Sequence, residues 1–165
     1  MQYLLSGELT ELGTQVLKEF HPGLEPLSIM YLFRPEAVVT DGKVVAGCVV
    51  RIDDRNWSMH QIDAFVEIAK DVWDEASPDF RRALMDHELS HIEIKRTGDG
   101  EVVRDRKSNR ILYSLKRHDI EEFTGVLKRH GDYHEALRQF LEAFAQRKTE
   151  ARKVGQKPEV TAETF

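Results

Sequence analysis

Between Thr10 and Phe20 the apolar residues Leu12, Val16, Leu17 and Phe20 recur at helical spacing, and His21-Pro22-Gly23 closes the run, so a first helix is expected there. Ile29 to Arg34 (Ile-Met-Tyr-Leu-Phe-Arg) is short, apolar and aromatic between Pro26 and Pro35, which predicts a buried strand. Thr40-Asp41-Gly42-Lys43 predicts a turn, and the valine-rich stretch Val44 to Ile52 a second strand. Ile62, Ala64, Val66 and Ile68 alternate as a third strand would over Ile62 to Ala69, although the same residues allow a helix. Ser77-Pro78-Asp79 combines a hydroxyl cap, a first-turn proline and an early acidic residue, and predicts a helix running to about Lys95. Thr97 to Asn109 is polar with Gly98 and Gly100, a loop or irregular hairpin, and Arg110 to Leu115 a short strand. Helices are expected over His118 to Arg129 and Tyr133 to Arg147, with Gly131 between them at a position suited to a helix end. From Lys148 onward the chain is polar, contains Pro158 and loses its apolar period. This pattern gives an α+β domain over residues 1–147 and a flexible tail over 148–165. Within the domain a small mixed or antiparallel sheet packs against helices.

Composition narrows the class. The chain has 165 residues, of which 41% are hydrophobic and 32% charged, as in an ordinary soluble globular protein with room for its own core. The 24 basic and 29 acidic residues leave a net charge of −5, which argues against holding nucleic acid by bulk charge. A single cysteine, Cys48, excludes an intrachain disulfide and any multi-cysteine zinc site. The first residues, Met1 to Glu8, carry no basic segment and no long apolar run, and nowhere does the chain approach the ~20 apolar residues of a membrane span. A cytoplasmic protein without a membrane partner is the expectation.

The chemistry concentrates in His87-Glu88-Leu89-Ser90-His91, within the helix expected after Ser77. Two histidines four residues apart share a helix face and can reach one ion at about 2.0–2.1 Å. A glutamate directly after the first of them stands beside that ion as a general base, taking a proton from a metal-activated water and passing it to a leaving amine. Phe80, Leu84 and Ile94 fall along the same side, so the pair is expected to be at least partly buried. The bland alternative is two hydrogen-bonded histidines on an amphipathic helix, which would bury two polar rings without return. A catalytic zinc also requires a third protein ligand. Ile94 and Thr97 stand where the metzincin motif has glycine and histidine, so that source is excluded. The remaining source is His118-Asp119-Ile120-Glu121-Glu122-Phe123, through His118 or through Glu122, with Asp119 or Glu122 otherwise orienting a ligand ring.

Other candidates read as structural. His130 and His134 are separated by Gly131 and are expected to be solvated, as are His21 and His60. Cys48 sits among valines as a core residue, and Trp57 and Trp73 as core or rim aromatics. Arg104, Arg106, Lys107 and Arg110 form a basic loop, expected to be solvated and the one place where phosphates could be touched.

With these residues in view, the chain resembles the putative phage metallopeptidase family of zincin-like proteins. The resemblance rests on Phe33-Arg34-Pro35, on Gly42-Lys43 with the valine run after it, and on Ala83 to His91. It continues through His118-Asp119-Ile120-Glu121-Glu122-Phe123 and Arg129-His130-Gly131, covering roughly Met30 to Gly131. It implies a minimal zincin encoded by a phage or prophage and working in a bacterial host's cytoplasm, with His118 as the third ligand of one zinc ion. The fold it implies is also similar to that of Spartan-type proteases, whose crosslink-cleaving activity does not carry over to a chain without a cysteine zinc ribbon. The expected activity is hydrolysis of a peptide bond in a protein or peptide substrate. The competing class is a non-catalytic zinc-bearing module that docks on a host or phage partner.

Overall fold

After a two-residue strand, β1 (Leu4–Leu5), Ser6 opens helix α1 (Gly7–Phe20) by accepting the Leu9 N–H on its hydroxyl at 3.2 Å. Leu9 and Val16 of α1 are fully buried. In the computed structural model, which describes residues 3–40, 42–118, 124–132 and 135–153, the chain forms two compact units that divide between Lys116 and Arg117.

In the first unit β2 (Ile29–Arg34) leads into a hairpin of β3 (Val38–Thr40) and β4 (Lys43–Val45). Then follow β5 (Gly47–Arg51), α2 (Asp54–His60) and β6 (Ala64–Ala69). The main sheet has the order β1-β2-β6-β5. β2 and β6 run parallel, and β1 and β5 pair antiparallel to their neighbours. The alternating residues Ala64, Val66 and Ile68 are all fully buried, so the strand reading of that segment holds. The expected single strand from Val44 to Ile52 is instead two strands in different sheets. Gly42, at φ 74°, supplies the left-handed turn that folds β4 back on β3. Ala46 then breaks the run and accepts the Ala69 N–H at 2.8 Å, which brings β5 alongside β6. Valine richness marks strand propensity but not the sheet to which each half belongs.

Helices α3 (Lys70–Glu75) and α4 (Pro78–Ser90) follow. Ser77 caps α4 by accepting the Phe80 N–H at 3.2 Å, with Pro78 in the first turn, as the sequence pattern predicts. Leu84, Met85 and Leu89 of α4 join Leu9 and Val16 of α1 against Tyr31, Phe33, Val66 and Ile68 of the sheet, forming the core. The helix ends at Ser90, not near Lys95, and β7 (Ile92–Ile94) pairs with β8 (Tyr113–Leu115). Ile92 and Ile94 are buried while Glu93 is exposed, a two-residue alternation that competes with continued helix and wins through its partner strand. Between them the chain makes only isolated bridges, Arg96 with Val102 and Arg104 with Ile111, as an irregular hairpin.

The basic loop is not uniformly solvated. Arg104, Arg106 and Lys107 are exposed, but Arg110 is buried at 3% exposure. Its guanidinium donates to the Ile52 carbonyl at 2.6 Å and to Asp54 Oδ1 at 2.9 Å, and its Nε faces Asp63 Oδ1 at 3.6 Å. Five fixed donors on one planar group suit that collection of oxygens, and it ties the irregular hairpin to the sheet.

The second unit contains α5 (Thr124–His130) and α6 (Glu135–Lys153). The Gly131 N–H caps α5 through the Leu127 carbonyl at 2.9 Å. Helix α6 continues past Arg147, where the apolar spacing stops, as far as Lys153. Among the described residues no helix is long and apolar enough to cross a membrane.

Arg110→Ala leaves the buried Asp63 carboxylate without its counter-charge. It should lower the free energy of unfolding by about 3–5 kcal/mol, measured by urea denaturation; a loss below 1 kcal/mol would show that the ion pair is not what holds the hairpin.

Candidate metal centre

His87 lies in the last turn of α4, and His91 is its C-terminal cap with right-handed helical angles (φ −70°, ψ −17°). The four-residue spacing therefore keeps its helical meaning although the helix stops at Ser90. The two rings stand edge to face with centroids 5.0 Å apart. His87 is exposed and His91 half-buried, so His87 is less enclosed than its apolar neighbours in sequence imply. The inward stripe of the helix is occupied by Leu84, Met85, Glu88 and Leu89, and the histidines lie at its border.

His91 is oriented by the backbone where β8 ends. The Lys116 N–H donates to the His91 carbonyl at 2.7 Å, and His91 Nδ1 lies 2.8 Å from the Lys116 carbonyl. A carbonyl can only accept, so Nδ1 carries the proton and Nε2 is left with the lone pair that a metal needs. The same contact holds the chain two residues short of His118. At about 3.3–3.6 Å per residue, His118 cannot be far from the pair. The ligand-capable atoms of His87, His91 and His118 lie within 4.8 Å of one another. Two nitrogens on one tetrahedral zinc would be roughly 3.3 Å apart, so rotation of the ring-bearing bonds has little distance to close. Among the described residues this is the group of histidine, cysteine and acidic side chains able to hold a metal. Glu122 and Asp119 fall outside the described residues, as does His134.

Glu88 points away from solvent, at 3% exposure, onto the first residue of β5. A β-carbon at Gly47 would stand 2.5 Å from Glu88 Oε1 and 2.8 Å from its carboxyl carbon, so the carboxylate sits directly against the strand backbone. Burial pushes the Glu88 carboxyl up to about 7, with the positive charge of Arg34 pulling the other way. A carboxyl poised there can both accept and return a proton near neutral pH. Arg34 is buried at the end of β2; its guanidinium donates to the Val45 carbonyl and points a second nitrogen at Cys48 Sγ, 3.7 Å away. The Cys48 thiol, 3.7 Å from Glu67 Oε2, is pushed up to about 11 by burial and then by the Glu67 charge. It stays protonated and is no nucleophile, in line with the structural reading of that cysteine.

Gly47, Arg34 and Lys116 are the contributors that motif reasoning passed over. A glycine inside a valine run and an arginine inside an apolar strand were the available signals. His21 was expected to be solvated, but its Nε2 bonds Asp86 Oδ1 at 2.7 Å, joining the end of α1 to the residue before His87. His60 and His130 are exposed, and Trp73 is fully buried.

Residues 1–145 match the family described as putative phage metallopeptidase. The chain belongs to that family. No curated protein and no solved structure gives a significant match. Membership in a metallopeptidase family implies a metal ion, and the three clustered histidines are chemically suited to one.

For metal-free protein the raised Glu88 pKa has a definite linkage sign. The folded state prefers the protonated carboxyl, so this group's stabilisation is complete below the ordinary value of 4.5 and is lost as pH rises through about 7. Between pH 4.5 and 8 the wild type should lose up to about 3 kcal/mol relative to Glu88→Gln. Urea denaturation of both proteins in chelator checks this, and parallel pH profiles would rule it out.

Proposed function

We propose that this protein is a zinc-dependent peptidase whose ion is held by His87, His91 and His118 and whose general base is Glu88. The observation that carries the reading is the clustering of ligand atoms of His87, His91 and His118 within 4.8 Å of one another, with the buried carboxyl of Glu88 on the same turn of helix as the first two. Three imidazoles leave a fourth position of a tetrahedral ion open, the arrangement expected of a catalytic rather than a purely structural site. When bound, the ion supplies Lewis acidity, polarising the scissile carbonyl and acidifying water.

The chain's own groups do the rest. Glu88 accepts a proton from the attacking water on a carboxylate oxygen as the water oxygen bonds to the carbonyl carbon. It returns that proton to the departing amine as the C–N bond breaks, so the base is regenerated in one cycle. Packing against Gly47 restricts the carboxylate to the side of the helix facing β5. The Lys116 carbonyl keeps His91 in one tautomer through each turnover. Among the described residues β5 pairs only with β6, so its other edge can hold an extended peptide by main-chain hydrogen bonds near Gly47, where Glu88 packs. The substrate is then a protein segment that can lie extended.

Glu88→Gln keeps the shape of the side chain and removes its basicity. It should reduce peptide hydrolysis by about 10²–10⁴-fold while one zinc per chain is retained, measured by turnover together with metal analysis. Retention of full activity by that variant would exclude the mechanism. His118→Ala should weaken zinc binding at least about 10-fold in a chelator competition, and unchanged affinity would remove His118 from the ligand set.

A further inference from the structure

Arg34 belongs to Phe33-Arg34-Pro35, a segment that the proposed chemistry leaves without a task. It is the last residue of β2 and is buried. Burying a guanidinium is costly, and here the cost is only partly offset. One terminal nitrogen donates to the Val45 carbonyl and the other points at Cys48 Sγ, 3.7 Å away. Its Nε is buried with no hydrogen-bond partner among the described residues. For stability alone this is a poor choice, because an apolar side chain of similar length fills such a space without an orphaned donor.

The two contacts share a position on the chain. Val45 and Cys48 bracket Gly47, the residue against whose backbone the Glu88 carboxylate is packed. Side chains alternate between faces along a strand, so Cys48 projects to the face opposite the one on which Glu88 rests. Arg34, meeting Cys48 Sγ, therefore braces the start of β5 from behind. Its own strand is not a neighbour of β5, since β6 lies between them in the sheet order. Arg34 is paired in register with Ala69, the last residue of β6, and reaches past that end to β5. Beyond Cys48 the thiol continues the brace to Glu67 Oε2 at 3.7 Å. Gly47 has no side chain with which to hold this backbone itself.

We propose that Arg34 is a positioning residue for the general base: by holding the chain from Val45 to Cys48 it fixes the Gly47 surface that aims the Glu88 carboxylate. This assignment rests on the peptidase reading and adds to it a residue that acts through a strand and not on the substrate.

The test compares Arg34→Met, which keeps the length and loses the donors, with Arg34→Lys, both as full-length zinc-loaded protein. The substrate is a quenched fluorescent peptide copied from the sequence that wild type cuts fastest in a tryptic digest of a bacterial proteome. Arg34→Met should lower kcat by about 10²-fold, the scale on which a reacting group misplaced by ~1 Å fails. KM, and zinc affinity in a chelator competition, should stay within about threefold of wild type, because neither binding term is touched. Arg34→Lys keeps a donor for the Val45 carbonyl without the fork that also meets Cys48, and should lose about 10-fold. Hydrogen exchange over residues 45–49 should be at least about 10-fold faster in Arg34→Met, with exchange in α4 unchanged. Arg34→Lys carries the same readouts should the methionine variant fail to fold. A folded variant with kcat within about twofold of wild type overturns the proposal. So does a variant in which kcat, zinc affinity and exchange throughout the first unit decline together, since that is general destabilisation. If wild type cuts no peptide, the peptidase reading fails first and the base-positioning role fails with it; if wild type cuts and the variants cut equally well, only the role of Arg34 falls.

Discussion

A carboxylate pressed against a strand backbone sets the terms for the rest of the first unit. Glu88 occupies the space where any residue larger than glycine at position 47 would place its β-carbon. For that contact to exist, α4 must lie close against β5, the last strand in the sheet order β1-β2-β6-β5. The contact also removes the carboxyl from water, which is what raises its pKa toward neutrality. Position and proton affinity therefore have one cause, the closeness of helix and strand at a single glycine.

The histidines depend on a different constraint, the abrupt end of α4. Had the helix continued, Ile92 and Ile94 would have lain on different sides of it, and Lys116 would not meet His91. By stopping at Ser90 and entering β7, the chain exchanges two hydrogen bonds between His91 and Lys116. That exchange sets the tautomer of one imidazole and starts the segment that brings His118 near. A hairpin pairing of three residues a side thus helps to position the histidine cluster without contributing a residue to it.

Two buried arginines hold the periphery in register with this centre. Arg34 ties the end of β2 to the end of the valine hairpin. Arg110 ties the irregular hairpin to the chain on either side of α2. Both are cations removed from water, and both offset that cost with backbone carbonyls or carboxylates at fixed positions.

Local chemistry determined much of this protein in advance. Apolar spacing closed by His21-Pro22-Gly23 placed most of α1, the Ser77-Pro78 signal placed the start of α4, alternation placed β6, and the His-Glu-Leu-Ser-His spacing put two imidazoles and a carboxyl on one turn of helix, because those features depend only on residues near in sequence. The α+β class and the family were legible from the same segments. What the sequence could not determine were the pairings between distant segments. The division of the valine run into two sheets, the exit from helix at Ser90, the burial of Arg110 and the seat of Glu88 on Gly47 each depend on a partner far away in the chain. A valine or an isoleucine favours strand wherever it stands, and a glutamate in a helix is ordinarily solvated. Only the tertiary structure decided which strand each joined, and that this glutamate would be packed against a glycine instead of facing water.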